Sequence, residues 1–467
     1  MSTIKGANTL SSGYDVANSC MFNPGDNPEL SRSTGDGNED VGSFSFWWKP
    51  AKAPGGAIFY TVYVDSSNFF DINVDGGGNF QVRNKLSGSY NLNFESSATY
   101  RDPSAWYNFV VLVDTTQSTE ANRMKAYVNG TQITSWQTAT YPSQNTDMIM
   151  NSNSRTAYIS HSGDRMHGYL AEFVLIDGTA QVVGDFGEFD SDSPTIWKPK
   201  DVSGLTKGTN GFYLDFEASD NLGNDANGGT DLTESGLAAA DQSVDTPTNN
   251  FCVVNPLDNY HAGATLTEGN CLVAHPSAKY NYITSTFGVS KGKWYFEGKL
   301  TVSGGTAATI GIAAEPTTSA SDHLGGDAQG ISIYQTSNGT FIRTGGSNTT
   351  LGDSDVVAND IIGVFIDLDN NKIYGSVNGT LETTTGISIT AAASQTHGLY
   401  FPAMGDYDGG QAYTWAMNFG GCPSFALSSA VSDDNGYGNF EYTPTVTVDS
   451  ASTKFYALCT KNLAEYG

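Results

Sequence analysis

The chain is poor in positively charged residues. Its 467 residues contain 22 lysines and arginines against 49 aspartates and glutamates, so the net charge is −27 at pH 7. A protein that binds duplex nucleic acid needs a basic surface to displace counterions, and an anionic membrane surface repels an acidic chain. The composition therefore argues against a nucleic-acid partner and against membrane association.

Cysteine and long apolar runs are also scarce. The five cysteines are an odd number with no C-x-x-C pair, so we expect thiols kept in a reducing cytosol rather than a disulfide framework. No run reaches the roughly eighteen apolar residues that a membrane-spanning helix requires. Polar residues follow Met1, so we expect no secretory signal and no membrane insertion.

Helical periodicity is the third absence. The strongest helical pattern, at residues 232–240, is weak. Short runs of aromatic and β-branched residues instead recur along the chain. Examples are FSFWW (44–48), WYNFVVLV (106–113) and IIGVFI (361–366), each bounded by polar turn residues. These runs predict strands. The 38% hydrophobic and 12% aromatic content is sufficient for packed cores.

Two asparagine–glycine pairs predict tight hairpins. Asn129-Gly130 and Asn378-Gly379 each lie between alternating strand residues, and a two-residue type I′ turn needs positive φ at both positions. Frequent turns between short strands are typical of antiparallel sandwiches. We therefore predict an all-β fold of two antiparallel β-sandwich (jelly-roll) domains in tandem.

A change in composition divides the chain. Residues 220–258 include NLGNDANGG (221–229) and DTPTNN (245–250), which are typical of loops. We predict a first domain over residues 1–219, a linker over 220–258 and a second domain over 259–467. We find no fixed-period repeat and no sustained heptads, which argues against a solenoid, a propeller or a fibrous shaft.

Motifs in the first half occur in a characteristic order. They are GYDVANS (13–19), FSFWW (44–48), RDPSAWY (101–107), YVNG (127–130), GYLAEF (168–173) and GTNGFYL (208–214). In this order they resemble the laminin-G-like, concanavalin-type jelly rolls that recur in phage virion proteins. The resemblance implies a concanavalin-type β-sandwich for the first domain.

The second half contains a different set of motifs. They are GKWYFEGK (292–299), IGIA (310–313), NDIIGVFID (359–367), LYFPAM (399–404) and MNFG (417–420). This half resembles a SPRY domain, and the tail from residue 440 to 463 resembles the end of SPRY-bearing phage structural proteins. The resemblance implies a SPRY-like β-sandwich for the second domain.

Both resemblances imply binding rather than catalysis. The expected function is that of a non-enzymatic virion structural protein of a tailed phage, a tail-fibre or adhesin component that binds a host surface glycan or receptor. The alternatives are a capsid decoration or head-fibre protein, a purely structural scaffold, and a glycan depolymerase. The expected location is the virion, assembled in the host cytoplasm.

The implied partners are other virion proteins and a host cell-surface glycan. Fibre proteins of this kind are usually trimers, so a homotrimer is one expected assembly, although no coiled-coil seam supports it directly. Many weak carbohydrate contacts gain avidity when several copies share one particle. Attachment would therefore be multivalent.

Two matches to catalytic signatures have simpler explanations. GVSKG (288–292) fits the nucleophile elbow of hydrolases, but a strand follows it where that motif needs a helix. EFDSD (188–192) lacks the third acid of the glucanase pattern Glu-x-Asp-x-x-Glu. The six histidines include no H-E-x-x-H pair. We predict a turn, an acidic loop and no catalytic residue.

Calcium is the metal that the resemblance implies, because laminin-G-like domains often bind Ca²⁺ through loop oxygens. The first candidate set of ligands is Asp185, Glu188, Asp190 and Asp192. The second candidate set is Asp220, Asn224, Asp225 and Asp231. In a chain with this many acids, neighbouring carboxylates are also expected by chance.

The candidate ligand-binding site lies late in the second domain, where aromatic and acidic residues alternate. Its residues are Asp406, Tyr407, Asp408 and Tyr437. Aromatic faces with polar groups beside them suit a sugar ligand. The alternative is that most of the aromatic residues in this part of the chain alternate into the core. They are Tyr400, Tyr407, Tyr413, Trp415 and Tyr437.

Overall fold

The computed structural model describes residues 13–52, 55–161, 163–277, 282–305, 307–319, 322–327, 329–334, 339–407, 410–448 and 451–467. The chain divides into two units, and the division falls between Asn249 and Asn250. Strands dominate both units. The predicted all-β fold of antiparallel sandwiches is confirmed.

The first unit contains eighteen strands among its described residues. In chain order they are β1 (Ser19–Phe22), β2 (Glu29–Ser33), β3 (Val41–Pro50), β4 (Ala57–Asp65), β5 (Asn68–Val74), β6 (Asn79–Leu86), β7 (Ser89–Thr99), β8 (Tyr107–Asp114), β9 (Met124–Val128), β10 (Thr131–Gln132), β11 (Trp136–Thr140), β12 (Thr156–Ile159), β13 (Gly168–Asp177), β14 (Gly187–Phe189), β15 (Trp197–Pro199), β16 (Phe212–Leu214), β17 (Thr233–Ser235) and β18 (Gln242–Ser243).

Two antiparallel sheets form the first sandwich. One has the order β10-β9-β8-β3-β13-β1-β18, with β16 also paired to β13, and the other has the order β11-β7-β6-β5-β4-β12-β2-β17. Strands β14 and β15 form a separate pair. Phe46 of the first sheet packs 4.6 Å from Phe59 of the second, and Phe109 stacks 4.4 Å from Phe80. Alternating aromatic side chains therefore join the two sheets.

The second unit contains seventeen strands and one α-helix among its described residues. They are β19 (Thr265–Thr267), β20 (Leu272–His275), β21 (Tyr282–Thr284), β22 (Lys293–Ser303), β23 (Ala308–Ala313), β24 (Gly330–Tyr334), β25 (Thr340–Thr344), β26 (Ser347–Gly352), β27 (Ile361–Asp367), β28 (Lys372–Val377), β29 (Thr380–Leu381), β30 (Ile387–Ser388), β31 (Phe401–Asp406), β32 (Tyr413–Asn418), β33 (Thr445–Val448), β34 (Ala451–Lys454), β35 (Tyr456–Ala457) and α1 (Thr460–Tyr466).

Two further sheets form the second sandwich. The larger has the order β19-β20-β32-β22-β27-β28-β29, with β30 on β28 and β35 parallel to β22, and the smaller has the order β21-β31-β23-β24-β25-β26. Strands β33 and β34 form a hairpin. The sheets meet closely at Gly298, where an added Cβ would lie 2.3 Å from Cδ1 of Ile310. Tyr400, Tyr413 and Trp415 are buried, as predicted.

Short 3₁₀ turns connect several strands. They are Pro24–Asp26, Glu120–Asn122, Ile149–Asn151, Val183–Asp185, Ala239–Asp241, Pro256–Asp258, Glu268–Asn270 and Ala392–Ser394. All five cysteines are buried thiols. Across the described ranges, no helix has the length and apolar character needed to cross a membrane.

Both predicted hairpins are confirmed. Asn129 and Gly130 have φ values of 46° and 74° between β9 and β10, and Asn378 and Gly379 have φ values of 47° and 79° between β28 and β29. Positive φ at both turn positions is the type I′ requirement. Asparagine and glycine are the residues that adopt this conformation most readily.

The segment predicted as a linker, residues 220–258, is instead divided between the two units. Leu222 and Leu232 are buried in the first core, where β17 pairs with β2 and β18 with β1. Val253 and Val254 are buried in the second core. The weak helical pattern at 232–240 forms β17 and a 3₁₀ turn. Apolar residues between the loop-forming ones account for the difference.

A buried carboxylate lies at an irregularity of β13 in the first sandwich. The pairing of β13 with β3 shifts register between Ala171 and Val174, and Glu172 there has a φ of 52°. The hydroxyl of Tyr213 donates to Glu172 Oε2 at 2.8 Å, and that of Tyr14 donates to Oε1 at 3.3 Å. The two hydroxyls are 3.0 Å apart. The cluster holds Tyr14 against the sheet.

The Glu172 cluster predicts a pH-dependent stability of the first unit. Burial raises the pKa of Glu172 from 4.5 to about 8, although both tyrosine hydrogen bonds oppose the shift. The folded state therefore holds a proton that the unfolded state releases near pH 4.5. Its contribution is complete below that pH and is lost as the pH rises through about 8.

Glu172→Gln should make the unfolding free energy of the first unit less dependent on pH between 4.5 and 8, because glutamine does not ionise. Urea unfolding at several pH values measures this. Glu120→Gln, which changes an exposed glutamate in a 3₁₀ turn, should keep the wild-type slope. Identical slopes for all three proteins would contradict the assignment.

Candidate functional site

The first set of predicted calcium ligands does not form a cluster. Asp185 Oδ2 accepts the Val182 amide at 2.9 Å, and Asp190 Oδ1 accepts the Asp192 and Ser193 amides, each at 2.9 Å. These carboxylates stabilise their own turns. Within the described residues, no three His, Cys, Asp or Glu side chains are arranged to hold a metal ion.

Lysines neutralise two of the same acids. Lys198 Nζ lies 3.5 Å from Glu188 and 3.4 Å from Asp190, and Lys200 Nζ lies 3.6 Å from Glu188. These lysines belong to or follow β15, which pairs with β14. An ion pair of this kind competes with a cation for the carboxylate oxygens.

The second predicted set also serves local structure. Asp225 Oδ1 accepts the Tyr213 amide at 3.1 Å, and Asp231 Oδ1 accepts the Asp225 amide at 3.0 Å. Asp231 Oδ2 accepts the side-chain amide of Asn221 at 2.9 Å. Asp225 and Asp231 therefore stabilise the loop that connects β16 and β17.

The predicted ligand residues of the second unit are placed differently from one another. Asp406 ends β31 and is fully buried, whereas Tyr407 is half-buried and its amide donates to Ala307 O at 2.8 Å. Asp408 lies outside the described residues. Asp406 is therefore part of the interior and Tyr407 part of its boundary.

Tyr407 is the centre of an aromatic and cationic group. Its ring centroid lies 4.3 Å from that of His323 and 5.5 Å from that of Tyr334, both nearly perpendicular. The Arg343 guanidinium lies 4.3 Å from the same centroid. Burial, followed by the charge of Arg343, lowers the pKa of His323 to about 4. The imidazole is thus neutral at pH 7.

Tyr437 belongs to another neighbourhood. Its amide donates to Asp433 Oδ1 at 2.9 Å, and Lys461 Nζ lies 5.5 Å from its ring centroid. The ring of Tyr407 contacts His323, Tyr334 and Arg343, whereas that of Tyr437 contacts Lys461. Among the described residues, these ring contacts place Tyr407 and Tyr437 in different groups of side chains.

A row of side chains crosses four neighbouring strands of the first unit. Tyr63 of β4 is opposite Phe69 of β5, Phe69 is opposite Lys85 of β6, and Lys85 is opposite Tyr90 of β7. Residues directly opposite one another lie on the same face of a sheet. We call Tyr63, Phe69, Lys85 and Tyr90 the aromatic row.

The aromatic row faces away from the core. Tyr63 is 47% exposed and Tyr90 is 41% exposed, whereas Phe70, the neighbour of Phe69 in sequence, is fully buried. The Tyr63 and Phe69 rings are 6.4 Å apart and nearly parallel, and Tyr90 is perpendicular to Phe69 at 6.1 Å. Exposed aromatic residues grouped in this way are typical of binding surfaces.

A polar row runs beside the aromatic row. Thr61, Asp71, Arg83 and Asn93 are opposite one another on β4 to β7. Two-residue steps along a strand place neighbouring rows roughly 7 Å apart. Arg83 donates to both oxygens of Asp71, from Nε at 2.9 Å and from Nη2 at 2.7 Å. The pair gives this face a fixed charged group.

A third row adds buried polar acceptors. Asn73 of β5 is opposite Gln81 of β6, and Gln81 is opposite Glu95 of β7. Asn73 and Gln81 are 5% and 7% exposed, and neither Asn73 Oδ1 nor Gln81 Oε1 receives a hydrogen bond in the structure. A buried acceptor without a partner costs free energy in the folded state.

Together the three rows form what we call the outer face of β4 to β7. It offers aromatic rings, an ammonium group and an ion pair, a mixture that can orient a polyhydroxylated ligand. None of these residues stood out in the sequence. Strand alternation shows which residues share a face, but the register that places four strands side by side depends on tertiary structure.

Two family models match separate parts of the chain. Residues 26–180 match the laminin G-like family described as the concanavalin A-like lectin/glucanases superfamily, and residues 293–421 match the SPRY domain family. The outer face of β4 to β7 lies within the first match. No curated protein matches the sequence.

Similar solved structures cover about a third of the chain. One is the TRIM65 PSpry domain, with 12% identity over 36% of this chain and 92% of that chain and a TM-score of 0.28. The SPRY domain of human HERC1 has 16% identity over 36% and 97%, with a TM-score of 0.28. A heptameric SAP-like pentraxin from Limulus polyphemus has 14% identity over 36% and 80%, with a TM-score of 0.28.

Because Asp71 and Arg83 form an ion pair, we expect that mutating Arg83 lowers the unfolding free energy by an amount that depends on pH. Burial raises the pKa of Asp71, and the hydrogen bonds and charge of Arg83 oppose that rise. Arg83→Met should destabilise the first unit by about 3 kcal/mol at pH 7, since it leaves a buried carboxylate without its counter-charge. The loss should be smaller at pH 4.5, where more of the carboxyl is protonated.

Urea unfolding followed by tryptophan fluorescence measures both values. Arg83→Lys is the matched control, because it keeps the charge without the two parallel hydrogen bonds and should give an intermediate loss. Equal losses for Arg83→Met at both pH values would attribute the effect to packing instead of charge.

Proposed function

We propose that this chain, in which a concanavalin-like domain and a SPRY domain occur in tandem, is a non-enzymatic structural protein of a phage virion. In this proposal it is a tail-fibre or adhesin component that binds a glycan on the host surface. The observation that carries the proposal is the aromatic row on the outer face of β4 to β7. The family match to lectins and glucanases supports the same ligand class.

The chemistry of the outer face favours a sugar. The apolar face of a pyranose ring packs on an exposed tyrosine, while its hydroxyls hydrogen-bond to groups beside the ring. Tyr63 and Tyr90 supply the rings, and the Arg83–Asp71 ion pair lies on the same face. Lys85 lies 5.1 Å from the Tyr90 ring and adds a donor.

Binding without catalysis agrees with how the candidate acids are used. Retaining and inverting glycosidases need two carboxylates free to act on a glycosidic bond. Here the ion pairs of Lys198 and Lys200 engage Glu188 and Asp190, and Arg83 engages Asp71. We therefore place the depolymerase alternative below the adhesin.

The virion role is supported by the buried thiols and by the low positive charge. Buried cysteine thiols suit assembly in a reducing host cytoplasm. An excess of acidic over basic residues limits non-specific binding to nucleic acid released at lysis. Other virion proteins would anchor the chain, and several copies, as in a homotrimer, would give the avidity that weak sugar contacts require.

Substitution of the aromatic row tests glycan binding. Purified full-length protein is applied to a glycan array, and the strongest ligand is titrated by calorimetry. Tyr63→Ala/Tyr90→Ala should weaken binding by between about fivefold and about a hundredfold, since each aromatic contact contributes about 0.5–1.5 kcal/mol and 1.4 kcal/mol is a factor of ten. Tyr260→Ala, which removes an 87% exposed tyrosine of the second unit, should bind normally.

Two further measurements decide between this proposal and its alternatives. If the protein binds no glycan on the array, and particles lacking it still adsorb normally to the host, a purely structural scaffold would be favoured. Release of reducing ends from the bound glycan would favour the depolymerase. If antibodies against the protein label only the capsid of the particle, the protein is a capsid decoration protein and not a tail component.

A further inference from the structure

A cleft lies at the C-terminal end of the second unit. Its volume is about 390 Å³, within the roughly 300–1,000 Å³ of small-molecule sites. The residues that line it come from the start of β22, the turn after β27, strands β34 and β35, and the end of α1. They are Gly292, Lys293, Asp369, Ser452, Thr453, Lys454, Tyr456 and Tyr466.

Two stacked tyrosines form the aromatic wall of the cleft. The ring centroids of Tyr456 and Tyr466 are 4.0 Å apart, and the ring planes differ by 13°. Tyr456 is held by the parallel pairing of β35 with Trp294, and the Tyr466 hydroxyl receives a hydrogen bond from Asn435 Nδ2 at 3.3 Å. The wall is therefore positioned before any ligand arrives.

The lining contains charged groups of both signs, and Asp367 also lies 3.6 Å from one of its ammonium groups, that of Lys293. Lys293 and Lys454 contribute two ammonium groups, and Asp369 contributes one carboxylate. Asp369 is already engaged, because Oδ1 accepts the Gly292 amide at 2.9 Å and Oδ2 accepts Lys293 Nζ at 2.6 Å. Its negative charge is therefore balanced within the cleft.

Lys454 is the cation that a ligand can reach. Its ammonium lies 3.1 Å from Asp434, and the two side chains are 44% and 54% exposed. An exposed ion pair of this kind exchanges readily with water and is weak. Ser452, two residues before Lys454 and on the same face of β34, adds a hydroxyl that both donates and accepts.

We infer that this cleft binds a sugar-sized, polyhydroxylated ligand that carries one negative charge, such as a uronic acid residue. The anionic group pairs with Lys454, a hydroxyl hydrogen-bonds to Ser452, and the apolar ring face packs on the tyrosine wall. The site is independent of the glycan-binding face proposed for the first unit. It differs from that face in requiring charge.

Sodium glucuronate is the probe for this site, and glucose is its neutral control. Saturation-transfer NMR with the full-length protein should show glucuronate binding at millimolar concentration and glucose binding at least about tenfold more weakly. Raising the salt concentration from 50 to 500 mM should weaken the glucuronate signal, because exposed ion pairs are screened. Equal binding of the two sugars, or no glucuronate binding, would overturn the assignment.

Lys454→Gln should weaken glucuronate binding about tenfold, since a charged hydrogen bond is lost. Lys372→Gln is the matched control, because this lysine of the same unit bonds to Thr385 O outside the cleft lining. Both variants should keep the wild-type melting temperature, which separates loss of binding from loss of folding. Wild-type affinity in Lys454→Gln would contradict the proposal.

The two binding sites are separated by crossed variants. Tyr63→Ala/Tyr90→Ala should retain glucuronate binding, and Lys454→Gln should retain the array ligand. A glucuronate-terminated disaccharide tests the source of the ligand. If the disaccharide binds as tightly as free glucuronate, the natural ligand is the end of a glycan chain. If the disaccharide does not bind, the site accepts only a free monosaccharide.

Discussion

Buried carboxylates that receive hydrogen bonds from several chain segments are the constraint on which both sandwiches depend. Glu297, fully buried on β22, accepts bonds from the Tyr295 hydroxyl, the Asn418 side chain and the amides of Glu441 and Tyr442. Burial raises its pKa, and these bonds oppose the shift. A buried polar group left without partners is costly, so the segments that supply the donors are held in place.

A buried carboxylate also receives hydrogen bonds from distant segments in the first unit. Asp245, buried near the end of that unit, receives Lys49 Nζ at 2.6 Å and Trp106 Nε1 at 3.1 Å. In the second unit, Asp433 Oδ2 receives the Ala457 amide at 2.9 Å. Such contacts connect residues far apart in sequence. They place the edges of each sandwich and so determine which surfaces remain open to a ligand.

Those open surfaces explain why the proposed binding sites lie where they do. The strand period of two commits alternate residues to the core and leaves the others on the outer face. In β5, Phe70 and Ile72 fill the core, whereas Phe69 and Asp71 face outward. The cleft of the second unit depends instead on β35 and α1, which bring Tyr456 and Tyr466 together. The first site is formed by the face of a sheet, and the second is formed largely by the segment from residue 452 to residue 466.

The sequence by itself determined the strand content, the two type I′ hairpins and the burial of Tyr400, Tyr413 and Trp415, because local propensity and alternation act over a few residues. It placed the division only within residues 220–258, since Leu222 and Val253 look alike until each is seen in its own core. Only the tertiary structure decided which acids meet lysines and which tyrosines meet one another. Strand register and contacts between distant segments determine both, and no short pattern encodes them.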